Sequence, residues 1–293
     1  MQTSLLTDLH TENLFYVTVI TAVKSTTPTL THVIPSQDGD SVTAVTSLGD
    51  DVFVSHVSSQ QVEVYDAVTL TLQRRLTLPG LDQRPLGLAA CPNNNCLYAS
   101  DWYNDRVYRV ELSGSNAVKK WSVARGPRGL SVNSEHNLIV ACSLDNQLLE
   151  YTTHGSLVRE IRLQAGVIWP QHAIQLSTGD YVVCQCTSSG VVSVVGVDGQ
   201  VVRRYGQSQT SDVGQMKNPP SLAVTKNDDM LVADQDNNRI LSIKSSLGSI
   251  QEALSVDSQI QCPRCLCLDE SRGRLYVGEW SGECRVLCFD LHL

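Results

Sequence analysis

The stretch Leu97–Val110, LYASDWYNDRVYRV, has a close twin at Met230–Ile243, MLVADQDNNRILSI. Each is a short alternating strand, an Asp, four loop residues, and an Arg that opens a second alternating strand. In an antiparallel hairpin this spacing sets Asp101 beside Arg106 and Asp234 beside Arg239 at the mouth of the turn. Two copies of one hairpin in one chain make internal repetition the first question.

Working outward, the segment ahead of each first strand recurs six times. It reads Ser41-Val42-Thr43, Pro85-Leu86-Gly87, Pro127-Arg128-Gly129, Pro170-Gln171-His172, Pro219-Pro220-Ser221 and Pro263-Arg264-Cys265. The period is about 44 residues, broken by one insertion between Arg203 and Pro219, and falls in the range of four-stranded propeller blades. In the second copy the strands are GLAAC, CLYAS, VYRVEL and AVKKWSV. First and second strands are apolar and small, and fourth strands are charged. That gradient suits a radial array with first strands at a crowded centre and fourth strands on the rim. The sixth copy has CLCLD, RLYVGEW and RVLCFDL but no fourth strand, while TLTHVIP at 29–35 is a fourth strand without a copy. The expectation is therefore an all-β, six-bladed β-propeller of four-stranded blades over residues 28–293. Its ring is closed by the strand at about 29–35, which completes the last blade. Residues 1–27 are an N-terminal extension, weakly ordered or an extra strand.

Composition narrows the function classes. With three Phe and nine Tyr the core must be mostly aliphatic, and the net charge of −8 argues against broad contact with a phosphate backbone, DNA above all. No apolar run is long enough for a spanning helix. The N-terminus lacks a basic region ahead of its apolar stretch and is not read as a signal peptide, so the ten cysteines are expected as reduced thiols in a cytoplasmic, monomeric protein. Cys262, Cys265, Cys267, Cys284 and Cys288 look like a zinc ribbon on paper. In the repeat register Cys267, Cys284 and Cys288 fall on strands, which offer no tight knuckles, so no metal or other cofactor is expected there.

With Pro-x-Gly-Leu-Ala, then Leu-Tyr-x-x-Asp, then Arg-Val/Ile at this period, residues 29–293 resemble an NHL-repeat β-propeller of the kind that ends the tripartite-motif ubiquitin ligases and related RNA regulators. The family's Asp–Arg pairing is kept at Asp101/Arg106 and Asp234/Arg239. It gives way to His56/Gln61, Cys142/Gln147 and Gln185/Gly190 in other copies, and Glu279 with Arg285 stands in the sixth. Because the pair recurs, it is assigned to the scaffold, clamping a hairpin.

The connections into first strands and those between second and third strands share one face of such a blade. They bring Arg84, Arg125, Arg128, Trp169, Gln171, His172 and Arg264 together with Trp102, Tyr103 and Trp280. Arg and Trp are the types most enriched at binding hot spots. The resemblance implies that this face carries the ligand, and the expectation is a non-catalytic binding module for a protein or peptide partner first, RNA second, without membrane contact. No ligase activity is expected without a RING segment. The alternative is a metal-dependent hydrolase or lyase, since enzymes on related six-bladed folds hold calcium or zinc around the axis. The axial positions here are Val42, Leu86, Arg128, Gln171, Pro220 and Arg264, with only His172 beside them as a plausible ligand, so no catalytic residue is assigned.

Overall fold

The computed structural model describes residues 28–36, 39–114, 116–185, 187, 190–206, 215–246, 249–254 and 259–291. The extension over 1–27 lies outside the described residues. Strand β1 (Thr29–Ile34) is followed by five blades of four consecutive antiparallel strands. Blade 1 is β2 (Val42–Leu48), β3 (Asp51–His56), β4 (Gln61–Asp66) and β5 (Leu72–Thr77). Blade 2 is β6 (Leu88–Cys91), β7 (Cys96–Asp101), β8 (Arg106–Glu111) and β9 (Val118–Ser122). Blade 3 is β10 (Pro127–Val132), β11 (Leu138–Cys142), β12 (Gln147–Tyr151) and β13 (Leu157–Arg162). Blade 4 is β14 (Pro170–Gln175), β15 (Tyr181–Gln185), β16 (Val191–Val195) and β17 (Val201–Tyr205). Blade 5 is β18 (Leu222–Val224), β19 (Met230–Asp234), β20 (Arg239–Ile243) and β21 (Ile250–Leu254). Blade 6 is β22 (Pro263–Asp269), β23 (Arg274–Glu279) and β24 (Val286–Asp290), with β1 hydrogen-bonded to β24 as its outer strand. The first strands of neighbouring blades touch in ring order, and β22 touches β2, which makes the protein a six-bladed propeller.

The core lies between blades rather than within one. Each strand alternates its side chains between two neighbours, so both faces of a blade are apolar. Leu97 and Ala99 pack toward blade 1, while Cys96 and Tyr98 on the same strand pack toward blade 3. Six such clusters, one per blade junction, hold the ring. They are largely aliphatic, but Tyr98, Tyr108, Tyr181 and Tyr276 are also fully buried. A buried Tyr needs a partner for its hydroxyl; Tyr108 donates to the Gly80 carbonyl at 2.7 Å and Tyr98 to Thr153 Oγ1 at 3.1 Å.

Crowding at the axis shows at two glycines. A Cβ on Gly87 would collide with the Arg128 carbonyl of the next first strand, and one on Gly129 would lie 2.5 Å from the Gln171 carbonyl oxygen. These first strands therefore approach backbone to backbone, which only glycine permits.

Candidate functional site

Four first strands carry a register break just after their opening residue: Val42 to Ala44, Pro127 to Leu130, Pro170 to His172 and Pro263 to Cys265. A bulge leaves the residue inside it unpaired and re-aims its side chain. The bulged residues are Thr43, Arg128 with Gly129, Gln171 and Arg264. Because Val42, Pro127, Pro170 and Pro263 pair with His56, Cys142, Gln185 and Glu279, Thr43 is the true equivalent of Arg128 in blade 1. The assignment of Val42 to the axial ring is corrected by one residue: Val42 is fully buried between blades, whereas Thr43 faces the axis.

Above this ring the loop face encloses a cavity of about 390 Å3, walled by Arg84, Leu86, Trp102, Tyr103, Arg128, Gln171, Asn218, Gln235, Arg264 and Trp280. Beneath it the axial channel, bordered by Gly129, Gln171, His172 and Ser221, leaves only about 50 Å3, a few waters' worth, so the cavity is a funnel with a nearly closed floor.

Each arginine of the funnel lies over an aromatic ring. The Arg128 guanidinium carbon is 5.8 Å from the Trp102 ring centre, Arg84 is 5.8 Å from Tyr103, and Arg264 is 5.1 Å from Trp280. Such stacking fixes the plane of a guanidinium while its in-plane N–H groups remain able to donate. Trp102 and Tyr103 meet edge to face at 5.1 Å, and Trp102 Nε1 donates to Ser143 Oγ at 3.3 Å. Arg128 donates to Gln171 Oε1 at 2.8 Å, and Gln171 Nε2 donates to the Trp169 carbonyl at 3.1 Å, so the blade 3 and blade 4 positions are braced against each other.

Among the described residues, no Asp or Glu walls the funnel. Asp234, Glu279 and Asp145 are engaged in building this face. Asp234, fully buried, takes Arg239 at 2.7 Å, Asn237 at 2.9 Å and the Lys217 backbone N–H at 2.6 Å. Glu279, also fully buried, takes Arg285 at 3.0 Å and the Gln261 N–H at 2.8 Å; burial pushes its carboxyl up, and these donors pull it back. Asp145 is held well below the usual carboxylate range by the Arg125 N–H and guanidinium.

Three of the expected site residues stand away from the wall. Arg125 is spent on Asp145. Trp169 adopts a left-handed φ of 53°, its N–H donates to Asn146 Oδ1 at 2.8 Å, and its ring is exposed outside the funnel with Ile168. His172 borders the channel, but both ring nitrogens are occupied. Nε2 lies 3.1 Å from the Leu130 carbonyl, and Nδ1 lies 3.4 Å from the Leu222 N–H and 3.5 Å from Ser221 Oγ. Desolvation pulls its pKa down to about 4, so it is neutral and structural. Gln235, in the connection between the second and third strands of blade 5, reaches the wall as that connection's place on this face implies, whereas Asn218 is a wall residue that sequence position did not reveal.

The paired hairpins also part company. Asp101 and Arg106 are cross-strand partners like Asp234 and Arg239, yet among the described residues no ion pair joins them. The Asp101 carboxylate instead accepts the Asn104 side chain at 2.9 Å and the Asn104 N–H at 3.2 Å.

No group of three His, Cys, Asp or Glu able to hold a metal occurs among the described residues. The axial positions are cationic, amide or apolar, which does not suit a divalent ion. Of the five cysteines that resembled a ribbon, Cys265 and Cys288 are buried in one blade junction, and Cys262 accepts from Gln235 Nε2 at 3.2 Å. At the opposite end, the turns of blades 1, 2 and 6 border a second cavity of about 380 Å3 that contains Asp269, Glu270 and Arg272.

No family model and no curated protein matches the sequence. Solved structures do match the fold. A streptogramin B lyase superposes with a TM-score of 0.61 at 14% identity over 89% of this chain and 97% of that one. A catalytically inactive histidine-to-alanine variant of virginiamycin B lyase from Staphylococcus aureus, solved with quinupristin, gives 0.63 at 11% identity over 89% and 98%. The hydrazine synthase of Kuenenia stuttgartiensis gives 0.62 at 16% over 88% and 97%. At these identities the likeness shows the fold. The three neighbours named here are enzymes, which counts against the expectations of a non-catalytic binding module and of no enzyme activity; the alternative, a metal-dependent hydrolase or lyase, is taken up as a proposal below.

Proposed function

We propose that this chain is a propeller enzyme of the hydrolase or lyase class, acting on a small anionic substrate in the funnel and using no divalent metal. The observation that carries the reading is a cavity whose described wall residues include three arginines, each over an aromatic ring, and no carboxylate, in a protein whose net charge is −8. Guanidinium groups aimed into a partly dry site stabilise negative charge as it develops on a carbonyl or carboxylate oxygen. Arg128 and Arg264, re-aimed by their bulges, take that role. Tyr103, about half exposed beside Arg84, is the wall's general acid–base candidate and trades the proton. His172 is not taken as a catalytic base, because its ring nitrogens are held by neighbouring blades.

Two further elements belong to the proposal. Kinship with NHL propellers is supported by the hairpin clamp at Asp234 and Arg239. A cytoplasmic setting is supported by the free thiols of Cys91 and Cys96, which face each other across β6 and β7.

The test is turnover of a panel of lactones, cyclic depsipeptides and aryl esters by the chelator-treated protein. Tyr103→Phe is expected to lower kcat about a hundredfold with KM little changed. Absence of turnover above background across the panel, or turnover indifferent to Tyr103→Phe and Arg264→Gln together, overturns the assignment.

A further inference from the structure

Among the arginines of the loop face, Arg84 differs in what surrounds it. Arg125, Arg239 and Arg285 each hold a carboxylate, and Arg128 donates to Gln171 Oε1. Arg264, over Trp280, has further interactions within the protein. Arg84 lies over the Tyr103 ring at 5.8 Å, and its Nε is buried without a partner. Among the described residues no carboxylate or carbonyl accepts its N–H groups, the exposed Asp82 two residues away included. Arg109 also has a buried Nε without a partner, but it gives Nη1 to Glu111 at 3.0 Å. Leaving a buried donor unmade is costly, so its retention in the wall of a cavity calls for an acceptor that arrives with a ligand.

Two connections of blade 2 build this position. The one into β6 carries Arg84, and the one between β7 and β8 carries Tyr103. Tyr103 meets Trp102 edge to face, and Trp102 is held by Ser143, so the ring under the guanidinium is itself braced. Blade 5, opposite blade 2 in a ring of six, contributes neutral amides to the wall, Asn218 and Gln235. The axial ring between the two sides is mixed, with Thr43, Arg128, Gln171 and Arg264. We infer that Arg84 is the receptor for a standing carboxylate on the substrate, a monoanion whose flat body lies beside Tyr103 and Trp102 and whose neutral polar end reaches toward Asn218 and Gln235. The inference rests on the funnel being the substrate site. A carboxylate completes the guanidinium through paired N–H···O bonds, and a fork already aligned on an aromatic ring forms them with little loss of freedom. This role is separate from that of Arg128 and Arg264, which meet charge that develops during reaction. Arg84 meets charge the substrate already carries, and so sets which substrates bind.

The experiment is a binding measurement with a charge series on one flat body: benzoate, neutral benzamide and cationic benzamidine, titrated calorimetrically at fixed ionic strength. The wild type is expected to bind benzoate at least tenfold more tightly than benzamide, and benzamidine more weakly than both. Arg84→Gln should bring the benzoate-to-benzamide ratio near one without weakening benzamide. Arg84→Lys, which keeps the charge but not the fork, should retain part of the ratio, and Arg84→Glu should reverse the series in favour of benzamidine. Arg125→Gln, on the same face but outside the wall, should leave the ratio unchanged. A ratio that survives Arg84→Gln, or that falls as far with Arg125→Gln, overturns the inference. So does an equal loss of all three ligands in Arg84→Gln, which would reduce Arg84 to a support for the Tyr103 ring, and so does no binding of any of the three at millimolar concentration. Unchanged urea midpoints of the Arg84 variants separate a lost contact from a lost fold. Because no turnover is needed, the charge preference can fail while the enzyme reading stands, and the reverse.

Discussion

The two mouths of this propeller are nearly the same size, about 390 Å3 and about 380 Å3, and differ in what their charges are doing. At the loop mouth three arginines wall the cavity, while Asp234 and Glu279 are buried behind it in hairpin clamps. At the opposite mouth acid and base meet directly: Arg272 bridges Asp269 at 3.2 Å and the exposed Asp50 at 2.6 Å, and its charge is locally compensated. Equal volumes therefore carry unequal chemistry. What distinguishes the loop mouth is the separation of its charges, with Asp234 and Glu279 buried on Arg239 and Arg285 behind the wall.

The largest effect should come from breaking that separation. Asp234→Ala removes the fully buried partner of the Arg239 guanidinium, which keeps Glu252 at 3.6 Å and the Gln215 carbonyl at 3.0 Å, and frees the Lys217 N–H next to the wall residue Asn218. A loss of about 3–5 kcal/mol in urea unfolding is expected, in line with removal of one partner from a buried pair. A loss below about 1 kcal/mol would mean that the clamp does not support this mouth.

A smaller effect lies under the funnel floor. The folded-state pKa of His172 is about 4 against an ordinary 6.5, so the unfolded chain binds its proton more readily between those values. Its contribution is complete above about pH 6.5 and is lost as pH falls toward 4, a change of roughly 3 kcal/mol. Urea midpoints measured from pH 7 to pH 4 should therefore fall more steeply for the wild type than for His172→Gln, which has an amide donor and acceptor but no titration. Parallel curves would place the acid sensitivity elsewhere.

The smallest effect sharpens the contrast from the other side. Arg272→Gln removes a pairing to the largely exposed Asp50 and one to the buried Asp269, which keeps the Ser271 hydroxyl and the residue 272 N–H as donors, so stability should change by about 1 kcal/mol and turnover in the funnel not at all. A change in turnover would show that the two mouths communicate through the axis.

Much of this was legible along the chain. The hairpin twins, the 44-residue recurrence and the inward gradient of apolar residues identified six blades, because strand alternation and turn chemistry are local and repeat with the fold. Seven of the ten residues assigned to the ligand face wall the funnel: Arg84, Trp102, Tyr103, Arg128, Gln171, Arg264 and Trp280. Arg125 and Trp169 misled because loop membership fixes a face but not a direction, and a single left-handed φ at Trp169 turns its ring away. Asn218 follows the long insertion, where the repeat gave no register to place it. In the same way, Asp101 and Asp234 look alike in sequence, and only the neighbouring side chains decide that one closes on its arginine while the other closes on Asn104.

The sequence by itself determined the blade, its number and its inner and outer strands, since these follow from the period of apolar residues. Only the tertiary structure decided which side chains share a cavity. That depends on one-residue bulges at the axis and on contacts between blades, and neither leaves a periodic trace in the chain.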